Sequence, residues 1–446
     1  MTEKVRFAPS PTGHLHMGNL RTALINYLFA RKAGGQFMLR IDDTDTERSK
    51  AEFETAIRAD LKWMGMQWDV EDRQSERLGR YDEVLAQLLE QGRAYACYET
   101  AEELNLKRKA QLMAGKPPVY DRAALRLSDA EKAQFEREGR RPHYRFKLDQ
   151  EAEVRWHDLV RGEVAFPMSS LSDPVILRED GRVIYTMASV VDDADHGITT
   201  ILRCEDHVTN SAAQIQLFEA IGATPPKMGH LALLAGADGE GLSKRLGSLS
   251  VQQLREEGIE AGAISSLLAR IGTPDPVEPH AHLSDVVEGF DLNRFGRATA
   301  KFDPAELAMV NARILQHYSA DDVAARLVEL GITGDITCFW PAVRGNLNKL
   351  LEAADWWAVC TGPITPVIED AQVCAAAIDH LPEVISADIW KDWTAAISGQ
   401  TGKKGKGLFM PLRLALTGQA RGPEVAGLLP VMGRERIAKR LAGEVA

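Results

Sequence analysis

The residues with the clearest chemical potential lie near the N-terminus, in the segment His16-Met17-Gly18-Asn19. An imidazole can donate a hydrogen bond to a phosphate oxygen, and a residue without Cβ lets a ribose or a base approach the backbone closely. His16 and Gly18 therefore indicate chemistry on a nucleotide. A lone His-x-Gly segment is also compatible with an ordinary loop, so the surrounding elements decide between the two.

A second segment with chemical potential is GLSKR at positions 241–245. A lysine ammonium at Lys244 could stabilise negative charge on a phosphate group. The alternative is a solvated basic loop. His16 could bind the same kind of group, so both segments are candidates for a phosphate-binding site.

The elements that must position His16 are a strand, a loop and a helix. Val5 to Ala8 is a short apolar run, and Pro9, Pro11 and Gly13 end it in a shaped loop. A helix follows, and it ends at Gly34-Gly35. Its apolar residues have helical spacing: Leu20, Ala23, Leu24, Tyr27 and Leu28. Phe37 to Ile41 reads as a second strand. A parallel strand-helix-strand unit binds its ligand beyond the carboxyl ends of the strands, which places the site beside His16.

No GxGxxG or GxxxxGK[ST] pattern accompanies this unit, so neither a dinucleotide fingerprint nor a P-loop explains it. The segment HMGN resembles instead the HIGH signature of class I aminoacyl-tRNA synthetases, and GLSKR resembles their KMSKS loop. The surrounding RFAPSPTG, RIDDTD and QSER (Gln74 to Arg77) resemble the bacterial glutamyl-tRNA synthetase family. Two departures are visible: Asn19 replaces the last His of HIGH, and Gly241 replaces the first Lys of KMSKS.

Composition limits the classes of protein that remain. The chain has 446 residues, a formal net charge of −11, and no apolar run near the ~20 residues that a membrane span needs. The N-terminus lacks a signal-peptide pattern, so a cytoplasmic location is expected. Residues 401–446 hold nine Lys and Arg against three Glu. This basic segment is either a solvated tail or a surface for nucleic acid, since local patches rather than the net charge govern such binding.

The resemblance implies an α/β fold in which a Rossmann-type parallel-sheet catalytic domain contains an α+β insertion and precedes an all-α C-terminal region. Within the insertion we expect a hairpin of Pro174–Leu177 and Arg182–Tyr185 around Asp180-Gly181. The implied domains are the two catalytic halves (1–93 and 183–238), the insertion that grips the tRNA acceptor end (94–182), a KMSKS-like loop with a helical stem-contact region (239–310), and the anticodon-binding region (311–446).

The resemblance also implies roles for individual residues. His16 and Lys244 would be catalytic. The implied ATP-binding residues are His16, Gly18, Glu205, Asp206, Ser243 and Lys244. The implied glutamate-binding residues are Arg6, Ala8, Ser10, Asp42, Tyr185, Ser189 and Arg203. Arg6 would bind the side-chain carboxylate, Arg203 the α-carboxylate and Asp42 the α-amino group. Asp43 and Asp45 would orient the tRNA end, or else cap the next helix.

The implied reaction is the ATP-dependent attachment of L-glutamate to tRNA-Glu, through glutamyl-adenylate and transfer to the 2′-hydroxyl of the terminal adenosine. The expected cofactors are ATP and Mg²⁺. No zinc is expected, because Cys97 stands alone in the insertion. We expect no membrane partner and a monomer. Alternatives are charging of tRNA-Gln as well or instead and, since Gly241 replaces a lysine, a non-catalytic tRNA-binding paralogue.

Overall fold

The computed structural model describes residues 2–239 and 250–446. The chain divides into two compact units. The first, called here the sheet unit, comprises Met1–Leu254, Leu268–Val277 and His282–Asp303. The second, called here the helical unit, comprises Arg255–Leu267, Glu278–Ala281 and Pro304–Ala446.

The described strands, in chain order, are β1 (Lys4–Phe7), β2 (Gln36–Ile41), β3 (Val70–Arg73), β4 (Ala94–Cys97), β5 (His143–Phe146), β6 (Glu153–Asp158), β7 (Gly162–Pro167), β8 (Val175–Leu177), β9 (Thr200–Cys204), β10 (Lys227–Leu231), β11 (Leu234–Gly236) and β12 (Ala300–Phe302).

The described helices before residue 304 are α1 (Met17–Lys32), α2 (Ala51–Trp63), α3 (Leu78–Glu90), α4 (Ala101–Met113), α5 (Asp129–Arg137), α6 (Tyr185–Asp195), α7 (Val208–Ala220), α8 (Val251–Glu256), α9 (Ala261–Leu268) and α10 (Leu283–Glu288). The later helices are α11 (Pro304–His317), α12 (Ala320–Glu329), α13 (Ile336–Val343), α14 (Ala353–Thr361), α15 (Ala371–Asp379), α16 (Ile389–Thr401), α17 (Lys406–Thr417), α18 (Val425–Met432) and α19 (Arg434–Leu441).

The parallel core of the sheet unit has two parts. Strands β1, β2 and β3 pair in that order, all parallel, with Val5 opposite Phe37. Strands β7, β6, β10 and β9 form the second part, in which β10 is parallel to both of its neighbours. The two parts meet where the Thr199 amide donates to the Lys4 carbonyl over 2.9 Å. At their carboxyl ends, β1, β2 and β9 finish at Phe7, Ile41 and Cys204, respectively.

Helix α1 connects β1 to β2 and places His16 at this edge of the sheet. Its apolar face is fully buried at Leu20, Leu24 and Leu28. The helix ends before Gly34, whose φ of +61° is a conformation that favours glycine. The predicted strand-helix-strand unit is therefore present, and the α/β fold class is confirmed.

The segment predicted as the insertion differs in two details. The predicted second hairpin strand, Arg182–Tyr185, is wrong: only one bridge forms, between Leu177 and Val183, and Tyr185 already begins α6. Helix α6 forms there because its residues from Met187 to Asp193 are all buried, so the backbone has to satisfy its own polar groups locally. The β6–β7 hairpin was not predicted, and it extends the parallel core through β10.

The helical unit is built around a core of large apolar side chains. Phe339, Trp340 and Leu412 are fully buried within it, and Trp393 lies beside them. Residues 304–446 form no strand, and they agree with the predicted all-α region. Among the residues that the structure describes, no helix is both long and apolar enough to cross a membrane.

Candidate active site

A pocket of about 1020 Å³ in the sheet unit opens at the carboxyl ends of β1, β2 and β9. Ten of the residues predicted for the site line it: Arg6, Ala8, Ser10, His16, Gly18, Asp42, Tyr185, Arg203, Glu205 and Asp206. The structure thus brings together residues from four separate stretches of the chain, as expected for a site at this edge of a parallel sheet.

One wall of the pocket is the N-terminus of α1, where His16 is the N-cap residue. Its Nδ1 accepts hydrogen bonds from the backbone amides of Gly18 (3.2 Å) and Asn19 (3.4 Å). An imidazole that accepts at Nδ1 carries its proton on Nε2 when it is neutral. The surrounding walls partly desolvate the ring and lower the pKa of His16. The side chain is therefore prepared to donate from Nε2 to an oxygen atom in the pocket.

Gly18 allows this arrangement because it has no side chain. A Cβ at this position would lie 3.1 Å from His16 Cε1 and 3.2 Å from His16 Nδ1, tighter than ordinary van der Waals contact. Ser250, the first described residue after position 239, forms an antiparallel bridge with His16, and the Val251 amide donates to the Leu15 carbonyl over 3.0 Å. The chain that leaves segment 240–249 therefore lies against the α1 N-terminus.

The floor of the pocket carries Arg6, which is almost fully buried at the end of β1. Its Nε donates to both carboxylate oxygens of Asp193, over 3.0 and 3.2 Å. No described residue accepts a hydrogen bond from Nη1 or Nη2 of Arg6, and the residue lines the pocket. Arg6 thus has one edge fixed by a carboxylate, while the two terminal nitrogens can meet a second carboxylate in a bidentate contact.

Asp42 also lines the floor, and both of its oxygens accept hydrogen bonds from Arg40, over 2.7 Å from Nε and 3.2 Å from Nη2. Burial raises the pKa of Asp42 to about 6, although Arg40 opposes the shift. Near neutral pH the carboxylate is therefore largely ionised, and it can accept a further hydrogen bond from a cationic amine.

Arg203, at the end of β9, has surroundings of a different kind. Nη1 donates to the Tyr185 hydroxyl (2.8 Å), and Nη2 donates to Ser211 Oγ (2.6 Å) and Gln214 Oε1 (2.7 Å). Among the described residues, no carboxylate lies within ion-pair distance of this guanidinium, although Arg203 is 5% exposed. A buried cation with only neutral partners attracts an anionic ligand strongly.

Behind Arg203 lies a buried pair, His230 and Asp158. His230 Nδ1 makes a short hydrogen bond to Asp158, and its Nε2 lies 2.7 Å from Ser211 Oγ. Burial lowers the pKa of His230, so the neutral ring donates from Nδ1 to Asp158 and accepts at Nε2 from Ser211. Ser211 can then accept from Arg203 while it donates to His230, which fixes the orientation of the guanidinium.

The wall opposite His16 contains Glu205 and Asp206, at the start of the turn after β9. Glu205 accepts from the Leu233 amide (3.1 Å) and from Arg161 Nη1 (2.7 Å), so its carboxylate supports the pocket wall. Asp206 is exposed on the same wall. Arg21 also lines the pocket, and it donates to the carbonyls of Ala232 and Ile271 over 2.7 and 3.0 Å.

Three predicted residues lie away from the pocket wall. Ser189 is fully buried, and its Oγ accepts from Arg40 over 3.3 Å. Asp43 accepts from the Ser75 amide and hydroxyl, and Asp45 pairs with Arg48. Neither aspartate caps α2, whose N-cap is Lys50. Ser243 and Lys244 lie outside the described residues.

Sequence reasoning missed Arg21, Arg40, Asp193, Ser211 and His230. A signal for Arg40 was present, because an arginine interrupts the otherwise apolar strand Phe37 to Ile41, and a charge in a buried strand requires buried partners. Asp42 is only two positions away, but Asp192 and Asp193, which also face Arg40, are more than a hundred positions away. No local pattern identifies such partners.

Cys97, the cysteine of the insertion, is buried, and the pKa of its thiol is raised to about 11 by burial. The Tyr120 hydroxyl lies 3.8 Å from its sulfur. Over residues 2–239 and 250–446, no group of three His, Cys, Asp or Glu side chains is arranged to hold a metal ion. The expected absence of zinc stays a prediction.

The profile described as "tRNA synthetases class I (E and Q), catalytic domain" matches residues 3–309, and an "Anticodon binding domain" profile matches residues 368–444. The chain belongs to the class I tRNA synthetase family described by the first profile. The pocket lies wholly within the part of this synthetase that the catalytic profile covers.

Individual relatives extend over the whole synthetase. "Glutamate--tRNA ligase 1" of Maricaulis maris is 56% identical over 99% of this chain and 100% of its own length. "Glutamate--tRNA ligase 2" of Methylorubrum populi is 55% identical over 99% of both chains. A solved glutamate tRNA ligase of Elizabethkingia meningosepticum, in complex with its amino acid, is 27% identical, with a TM-score of 0.87 over 99% of both chains.

Proposed function

We propose that this synthetase catalyses the ATP-dependent attachment of L-glutamate to tRNA. In the first step, a glutamate α-carboxylate oxygen attacks the α-phosphate of ATP, which forms glutamyl-adenylate and releases pyrophosphate. In the second step, the 2′-hydroxyl of the terminal tRNA adenosine attacks the activated carbonyl and releases AMP. Full-length similarity to glutamate–tRNA ligases supports this assignment.

The observation that carries the proposal is the presence of two buried guanidinium groups, Arg6 and Arg203, on one pocket. Glutamate has two carboxylates, and each guanidinium can bind one of them. Asp42 provides an anionic partner for the α-amino group. Glutamine would present an amide NH₂ to the donors of Arg6, and unmatched buried donors cost binding energy. The pocket therefore favours a dicarboxylic amino acid.

ATP occupies the end of the pocket formed by His16 and Gly18. His16 Nε2 donates to a phosphate oxygen, and the positive end of the α1 helix dipole favours negative charge. Lys244 joins them as charge develops on the α-phosphate; the bridge between Ser250 and His16 supports this role, because it holds Ser250 beside the α1 N-terminus. No side-chain nucleophile is required, so catalysis consists of positioning and charge stabilisation.

Mg²⁺ enters with ATP in this proposal, because an ion bound mainly by phosphate oxygens and water needs few protein ligands. Asp206, exposed on the pocket wall, is the carboxylate placed to contact its hydration shell. When bound, the ion neutralises phosphate charge during the attack.

We propose tRNA-Glu as the tRNA substrate, with residues 311–446 reading the anticodon and 94–182 contacting the acceptor end, where Asp43 and Asp45 orient it. The anticodon-binding profile over residues 368–444 supports the first part. The monomeric state and the cytoplasmic location stay predictions. Charging of tRNA-Gln is the second candidate, because the catalytic profile covers synthetases for both amino acids.

The test is aminoacylation by the purified chain with ATP and Mg²⁺, using labelled glutamate or glutamine and separately purified tRNA-Glu and tRNA-Gln. We expect glutamate to be attached to tRNA-Glu and glutamine to neither tRNA. Glutamate on tRNA-Gln alone would reassign the tRNA. No charging with any pair would favour the non-catalytic paralogue.

A further inference from the structure

Arg40 is a fully buried charged residue beneath the pocket, and it does not line the pocket wall. It lies within β2 at 0% exposure. Its Nε and Nη2 donate to Asp42, and its Nη1 donates to Asp193 Oδ1 over 2.7 Å. Asp192 lies 3.6 Å away. The side chain is therefore surrounded by three carboxylates.

This arrangement connects two residues of the glutamate site that are otherwise separate. Asp42 is the proposed partner of the α-amino group. Asp193 holds the Nε edge of Arg6, which is the proposed partner of the side-chain carboxylate. Because Arg40 donates to both aspartates at once, Asp42 and Arg6 belong to one continuous ionic network.

Stability alone does not account for this network. Replacing a buried ion pair by well-packed apolar residues is often neutral or stabilising, because the desolvation of the charges is costly. The residues beside Arg40 in β2 are apolar and buried, so an apolar side chain would suit its position in the strand. The network is explained more simply by the positions in which it holds the carboxylates of Asp42 and Asp193.

We propose that Arg40 is a positioning residue for glutamate, which holds Asp42 and, through Asp193, Arg6 at the separation of the substrate's amino group and side-chain carboxylate. This inference rests on the proposed function. Arg40 touches neither glutamate nor ATP, and its effect reaches the substrate through the two aspartates. A lysine cannot replace it, because a single ammonium lacks the planar fork that bonds two carboxylates in fixed directions.

The test compares Arg40→Lys, Arg40→Gln and wild type in tRNA-dependent pyrophosphate exchange, with glutamate and ATP titrated separately. Loss of one charge-assisted contact predicts a KM for glutamate about 10- to 100-fold higher in Arg40→Lys. The KM for ATP should stay within about 2-fold, because the His16 end of the pocket is unchanged. Arg31→Lys is the matched control, since Arg31 is also an arginine of the sheet unit that pairs with a carboxylate, Asp69, over 2.8 Å, and it does not line the pocket.

A pH profile separates positioning from a purely structural role. Asp42 faces Arg40, Arg6 and Asp192, and its carboxylate has to be ionised to bind the amino group. The wild-type kcat/KM for glutamate should therefore fall as the pH drops through about 6, the pKa to which burial raises Asp42. Arg40→Gln removes the main positive charge that favours the ionised form of Asp42. The pH at which kcat/KM falls should therefore rise by roughly one unit or more. Arg40→Lys, which keeps a positive charge, should move it less.

Asp193→Asn provides a second route in case the Arg40 variants fail to fold. The amide retains the size of the side chain but gives Arg6 and Arg40 a neutral partner, so we expect the KM for glutamate to rise by roughly 5- to 10-fold. The role of the network would be overturned if folded Arg40→Lys and Arg40→Gln kept the wild-type KM for glutamate and the wild-type pH dependence of kcat/KM. The same result in Asp193→Asn would also overturn it. Absence of exchange in wild type would instead refute the proposed function itself.

Discussion

Two arginines that line one pocket are stabilised in different ways. Arg6, at the end of β1, is held by the Asp193 carboxylate, which also accepts from Arg40. Arg203, at the end of β9, is held by the neutral side chains of Tyr185, Ser211 and Gln214. Both guanidinium groups are nearly buried.

The difference indicates how each arginine acts on a substrate. Arg6 is largely neutralised before a ligand arrives, so its contribution is mainly geometric: a fork that accepts a carboxylate and mismatches an amide. Arg203 has no carboxylate partner among the described residues, so an anionic ligand gives this buried cation an ionic partner. Affinity for glutamate should therefore depend more on Arg203, and selectivity against glutamine more on Arg6.

Arg203→Gln should have the largest effect. Loss of a buried charge paired with a substrate carboxylate predicts a fall in kcat/KM for glutamate of about 10³-fold. Steady-state pyrophosphate exchange with tRNA, at varied glutamate, measures this. A loss below 10-fold would show that Arg203 does not bind a carboxylate.

Arg6→Gln should lower kcat/KM for glutamate less, by roughly 10- to 100-fold, because Asp193 already neutralises the arginine. It should also reduce the preference for glutamate over glutamine, whereas Arg203→Gln should leave that ratio nearly unchanged. Parallel titrations of the two amino acids with both variants provide the measurement. Equal changes in the preference would remove the distinction between the two arginines.

Gly18→Ala sharpens the comparison by changing the pocket away from both arginines. The new Cβ would crowd His16 at 3.1 Å and displace its ring by a few tenths of an ångström. We expect the KM for ATP to rise by about 10-fold, and the KM for glutamate to change little. Isothermal titration with ATP alone checks the binding part. A larger loss for glutamate than for ATP would contradict the proposed division of the pocket.

Ser211→Ala should have the smallest effect, a fall of roughly 5-fold in kcat/KM for glutamate, because one hydrogen bond to Arg203 is lost while Tyr185 and Gln214 remain. Thr200→Ala is a matched control, since Thr200 is another buried hydroxyl of the sheet unit and does not line the pocket. Wild-type kinetics in Ser211→Ala would mean that the hydrogen bond from Arg203 to Ser211 does not orient the guanidinium.

Sequence reasoning located the pocket because its residues lie in local patterns at the ends of elements. Arg6, His16 and Gly18 belong to one strand-loop-helix stretch, and Arg203 ends a strand that the apolar run beginning at Ile201 already indicates. The strand-helix-strand unit follows from the same patterns, whereas the full fold class was implied by the family resemblance. Their proposed roles depend on family resemblance, however, and await the kinetic tests above.

The supports of the pocket could not be predicted in the same way. Asp193 is 153 positions from Arg40, and Asp158 is 72 positions from His230, so these contacts depend on how strands are ordered in space. The β6–β7 hairpin did have a local signal, since exposed and buried residues alternate along β6. The predicted strand Arg182–Tyr185 failed because helix formation after Ile184 buries more of the segment than a two-stranded hairpin would.

The most direct test of the account is pyrophosphate exchange by the wild-type protein with ATP and Mg²⁺, measured with glutamate and with glutamine, in the presence and absence of tRNA. The account predicts exchange with glutamate when tRNA is present, and none with glutamine under either condition. Exchange that prefers glutamine, or no exchange with either amino acid, would contradict a pocket that uses two arginines to select a dicarboxylic substrate.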